Sequence, residues 1–157
     1  MFKKSQAALE FLTTYAWAFL IILIMIGALA YFGVLNPSRL LPERCNFGAE
    51  LGCDKDRVIA NTAGKVTFEL VNSVGEAISV NAVRVNSDVA AFTVNCPATG
   101  YTNPWRPGER MTLTTGNCGT LTADEKTKFT VDIDYYVTSA GSSYGKTVYG
   151  EIYTAVQ

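Results

Sequence analysis

The chain has no histidine among its 157 residues. That removes the commonest general base, the commonest metal ligand and the side chain that switches charge near neutral pH. Charge is also sparse. Thirteen Lys and Arg face fourteen Asp and Glu, for a net charge of −1. No basic patch is available to attract nucleic acid, so no nucleic-acid partner is expected. No CxxC pair occurs, which argues against a zinc site built from cysteines. EF-hand, P-loop and HExxH patterns are missing as well. The expectation is a non-enzyme without a cofactor.

The longest absence is of charge. Between Glu10 and Arg39 no charged residue occurs. Phe11 to Leu35 is apolar on every side, not on one stripe, and such a helix belongs in lipid or inside a bundle. At 1.5 Å per residue it would be about 37 Å long, against about 30 Å of bilayer hydrocarbon. Asn36-Pro37 is the expected stop, because the residue before proline resists helical angles. Lys3 and Lys4 precede the run and place the N-terminus in the cytoplasm and the rest outside.

What is present at the edge of this run is one acid, Glu10. An apolar segment needs no carboxylate to cross a membrane, and a carboxylate there asks for a partner. Three readings compete. A cleaved secretory signal peptide would use Ala28-Leu29-Ala30 as its A-x-A site. A signal anchor would tether one monomeric extracellular binding domain. The third reading rests on KKSQAALEFL. This stretch resembles the class III signal peptide of archaeal type IV pilins and archaellins. The shared pattern is a short basic leader, a small residue, Gln at the first mature position and Glu at the fifth, then an apolar helix. Ser5 stands where the family usually has glycine, and Ala8 where it often has serine.

The resemblance implies cleavage between Ser5 and Gln6, with Glu10 as the fifth mature residue. It implies a structural subunit of an extracellular filament, a homo-oligomer polymerised through its N-terminal helices for adhesion or surface attachment. It also implies a prepilin peptidase-like protease, an assembly ATPase with its platform, and residence in the cytoplasmic membrane before assembly. Glu10 would set register between subunits, through the new α-amine at Gln6. The alternative for Glu10 is a plain helix cap, where a negative charge suits the macrodipole. An archaellum-type subunit is a further alternative.

The expected organisation is a leader at 1–5, an apolar helix at 6–35, a linker at 36–44 and a head at 45–157. Two prolines and returning charge mark the linker. In the head, Val66, Phe68 and Leu70 alternate with polar neighbours, as do Phe129, Val131, Ile133 and Tyr135, and Val148, Gly150 and Ile152. Ile78, Val80 and Ala82 alternate and then Val83 and Val85 follow with the phase shifted by one, which indicates a bulge near Ala82–Val83. Pro107-Gly108 fits a turn ahead of a strand at Met111–Thr115. About seven strands result, and the expected fold is α+β: the helix followed by an all-β, immunoglobulin-like sandwich. The Cys…Trp…Cys spacing of true immunoglobulin domains is not met.

Cys45, Cys53, Cys96 and Cys118 lie beyond a membrane segment, so two disulfides are expected. Of three connectivities, Cys45–Cys53 and Cys96–Cys118 each close a local loop. Loop-closure entropy sets upper values of about 2.5 and about 3.4 kcal/mol for them.

Little else in the head carries chemistry. Asp132 and Asp134 share a strand face and could join a calcium site, though a solvated face is the plainer reading. Gly141-Ser142-Ser143-Tyr144-Gly145 matches G-x-S-x-G, but lies in a loop of a chain without histidine. Tyr101, Trp105, Tyr135, Tyr136, Tyr144, Tyr149 and Tyr153 could form a platform for a surface glycan or cell receptor. Trp105, in a Pro-rich loop, is the leading candidate for an exposed surface contact. Ser- and Thr-rich faces would suit O-glycosylation, while the lone Asn36-Pro37-Ser38 sequon carries the forbidden proline.

Overall fold

The computed structural model describes residues 3–33 and 41–157, with side chains from residue 9 onward in the first stretch. The chain divides into two units, Met1–Leu41 and Pro42–Gln157. Residues 36–40 of the expected linker, including Asn36-Pro37, lie outside the described residues.

Among its described residues the first unit has one helix, α1 (Lys3–Tyr31). It begins before the expected residue 6 and ends four residues short of Leu35. The stop is glycine, not the Asn-Pro pair. The amide of Phe32 still donates to the Ala28 carbonyl, but that of Gly33 turns to Ala30. Gly33 then takes φ +69°, a left-handed angle that glycine adopts without penalty.

The second unit is an all-antiparallel β-structure with two disulfides, as expected from the alternation. Its strands are β1 (Arg44–Asn46), β2 (Leu51–Cys53), β3 (Ile59–Ala60), β4 (Val66–Asn72), β5 (Ile78–Ser87), β6 (Cys96–Thr99), β7 (Arg110–Thr115), β8 (Lys126–Val137) and β9 (Lys146–Ala155). There are nine rather than seven, because β1, β2 and β3 are too short to show a period. They follow one hydrogen-bonded path, β1-β9-β8-β5-β6-β7-β4-β2, with β3 beside β4. The layers join at β6, where Val85 pairs with Cys96 and, three residues on, Thr99 pairs with Thr114. The bulge falls between Val80 and Ala82, one residue from its expected place.

The core is the sum of the inward positions. Phe68, Leu70, Phe129, Val131, Ile133 and Ile152 are completely buried. Each contributes about 1.5 to 3 kcal/mol by leaving water. The path closes into a barrel-like ring at a seam. There β1 and β2 form a hairpin through the Phe47–Leu51 bridge, and Val156 bridges Ala60 in parallel. Phe47 crosses the seam to stack on Phe68, with ring centroids 6.1 Å apart. It lies against Gly150, where an added Cβ would collide with its ring. Gly150 is therefore the inward residue of β9 that makes room for Phe47.

Candidate assembly site on the apolar helix

Leu9–Tyr31 is a stretch of 23 residues long and apolar enough to cross a membrane. At 1.5 Å per residue it spans about 35 Å. Every side chain from Leu9 to Phe32 is exposed in the single chain. A surface of this kind is at ease only in lipid or against other apolar helices. Phe11, Leu12, Tyr15, Ala16 and Phe19 line a shallow apolar recess along one side. Phe11 and Tyr15, one turn apart, are in ring contact with centroids 4.2 Å apart.

Glu10 lies eight residues into α1, not at its end. The macrodipole acts within the first turn, so the capping role for Glu10 does not hold in the uncut chain. The polar residues beside it are satisfied by the helix itself. The Thr13 hydroxyl lies 3.1 Å from the Leu9 carbonyl and 3.0 Å from that of Glu10, and the Thr14 hydroxyl donates to the Glu10 carbonyl at 2.9 Å. The threonines thus cost the helix little in lipid. Among the residues of α1 whose side chains are described, Glu10 is the one charged group on this surface, and in lipid or between helices its carboxylate needs an outside partner. Ser5 and Gln6 fall within α1, and their side chains lie outside the described residues.

In the head, the expected tyrosine and tryptophan platform is not assembled. Trp105 is completely buried, which overturns its assignment as an exposed contact. Its loop folds back on the barrel instead of projecting from it. Trp105 and Ile78 exchange backbone hydrogen bonds of 2.7 and 2.9 Å. The indole Nε1 donates to the Glu109 carbonyl at 2.8 Å, so its polar edge is satisfied inside. Asn72, the last residue of β4, joins this loop to the barrel. It is buried, donates to the carbonyls of Glu76 and Trp105, and accepts from the Val74 amide. Tyr135 is also in the core, whereas Tyr144 and Tyr149 are exposed.

The outer face of β8 and β9 is a charge lattice. Arg84 pairs with Asp134 at 2.7 Å, and Thr147 donates to Asp134 at 2.7 Å. The Thr147 hydrogen bond, with Arg84 behind it, holds the Asp134 carboxyl below the usual carboxylate range. Lys128 and, more weakly, Arg44 do the same for Glu151. Asp134 is thus committed to neighbours. Among the described residues no group of three or more Cys, Asp and Glu is arranged to hold a metal ion. The G-x-S-x-G match sits in the β8–β9 connection, with a single exposed turn at Ser142–Tyr144 and a strand on each side. The strand-to-helix elbow is absent there.

The chain matches none of the protein-family models or curated proteins compared with it.

Proposed function

We propose that the chain is the structural subunit of an extracellular filament of the type IV pilus kind, polymerising through α1 with its β-head facing solvent. The observation that carries this reading is the helix surface. From Leu9 to Tyr31 it is apolar on all sides and exposed, and it bears one carboxylate, Glu10, near the start of that stretch. A plain membrane anchor accounts for the apolarity but has no use for Glu10. A packed array of such helices accounts for both. Apolar contact between helices replaces lipid when subunits leave the bilayer. A carboxylate buried in that array needs a cation, and cutting after Ser5 creates one at the Gln6 α-amine. Gln6 and Glu10 would then lie one helical turn apart, at the end where the helix dipole also favours an anion. Paired between neighbouring subunits, the Gln6 amine of one with Glu10 of the next, the two groups fix axial register rather than adding much stability.

On this reading the partners are a membrane protease that cuts at Ser5–Gln6 and an ATPase-driven assembly platform. The precursor lies in the cytoplasmic membrane with its head outside, and the product is a surface filament for adhesion. The test is the intact mass and first residue of native protein sheared from the cell surface. Filaments whose subunits begin at Gln6 support the reading. Protein that begins at Tyr31 overturns it. So does uncut monomer confined to the membrane, which is the behaviour of an anchored binding domain. Glu10→Ala is expected to insert in membranes normally and to lower filament yield at least tenfold.

A further inference from the structure

The position of one disulfide in the ring assigns it a task that loop closure alone does not require. The first strand of the head after α1 is β1, and just upstream of it the Glu43 carboxylate accepts from the Ala155 amide at 3.3 Å. That strand is held to β9 by three residue pairs only, Arg44–Tyr153, Cys45–Ile152 and Asn46–Glu151. The partner strand runs antiparallel, so Arg44 lies beside the C-terminal end of β9. A pull on the chain upstream of Arg44, with the head held at its C-terminus, therefore opens these pairs one after another. Bonds loaded in series in this way fail at low force. Continued peeling would next draw out Phe47, which is buried against Phe68 and Gly150 and fills the seam of the barrel.

Cys45 is the second residue of β1, and Cys53 is the last residue of β2. They sit two positions out from the Phe47–Leu51 bridge on either strand, so the disulfide continues the same hairpin register. β2 is held on the other side of the seam by three pairs with β4: Leu51–Asn72, Gly52–Val71 and Cys53–Leu70.

We propose that Cys45–Cys53 is a mechanical clamp. It obliges load arriving through the helix to break the β9 and β4 sides of the seam together. With the bond intact, β1 cannot leave without β2, and the five residue pairs from Cys45 onward, two to β9 and three to β4, share the load. Peeling stops at Cys45, and Phe47 stays in the core. The bond from Cys96 to Cys118 lies away from this load path, between β6 and the segment after β7, and does not share the task. Only the source of the load rests on the filament reading.

The test stretches the full chain in detergent micelles by tags at its two ends. Oxidised protein is expected to show no step between release of Arg44 and the main rupture of the head. C45A/C53A is expected to show an added low-force step of about 20 to 25 Å before that rupture. This is the eight-residue separation at about 3.5 Å per residue, less the 5.6 Å between the two Cα atoms. Should the double variant not fold, reducing the folded native protein under load gives the same reading. Loss of the 22-residue Cys96–Cys118 loop would add about 70 Å instead, within the main rupture. Traces for C45A/C53A that differ from native only in final length overturn the clamp. So does an equal early step in C96A/C118A. Neither result bears on filament formation, which the first residue of surface protein decides separately.

Discussion

Three side chains show how burial, not residue type, sets a role. Trp105 lies in a loop of Asn, Pro, Arg and Gly, and its neighbours read as solvent-facing. The structure buries it because the indole gains more from the core than a short loop loses by folding back. Trp105→Ala is expected to destabilise the head by about 3 to 5 kcal/mol, read by urea denaturation followed by tyrosine fluorescence. Tyr135 has its pKa pushed up to about 12, first by burial and then by the charge of Glu50 and a hydrogen bond to it. The folded value lies above the ordinary 10, so the folded state favours the neutral phenol. That stabilisation is whole below pH 10 and is lost as pH rises towards 12. Melting of native protein against Tyr135→Phe across that window is expected to show a steeper loss for native protein. Equal slopes would show that Tyr135 ionises as freely folded as unfolded. Glu10 differs from both, because the fold of one chain leaves it exposed and only its neighbours can settle it.

At the scale of elements, α1 and the β1–β2 hairpin illustrate opposite limits. The helix needs no tertiary contact to be recognised, since its apolar length exceeds what any small soluble core requires. Its stop was misplaced because Gly33 and Asn36-Pro37 are both credible stop signals, and the earlier one acts. The hairpin was invisible, since strands of three residues show no alternation. Its position is instead decided by one contact, Phe47 on Gly150. Gly150→Ala is expected to cost about 1 to 3 kcal/mol by overpacking, and Phe47→Ala about 3 to 5 by leaving a void. The double variant should cost clearly less than the two added together, because the small side chain removes the clash. Additive losses in that cycle would show that the two residues do not meet.

At the scale of the whole molecule, the head is a ring closed at one seam and stapled twice. The two staples should rank differently under two kinds of stress. In equilibrium denaturation the longer loop dominates, so C96A/C118A is expected to lose about 3.4 kcal/mol and C45A/C53A about 2.5. Under pulling from the helix side the order reverses. A larger equilibrium loss for C45A/C53A would mean that seam packing outweighs loop entropy. Acid acts on the outer face. Asp134 and Glu151 have lowered pKa values, so their contribution is present above the ordinary carboxylate range and fades as pH falls through and below it. Both carboxylates are exposed and solvent screens their pairs, so the melting temperature should decline gradually below pH 4 rather than collapse. The sequence by itself determined the membrane-length helix, the lone acid at its edge, the inward faces of β4, β8 and β9, and the short cysteine loops that favour the disulfide pairing the structure shows. These are local properties: run length, period two, and loop distance between cysteines. Only the tertiary structure decided that β6 joins the layers, that Trp105 and Tyr135 are core, and that Phe47 seals the ring over Gly150. Those outcomes depend on residues far apart in the chain competing for one interior, and a period read along a single strand carries no record of that competition.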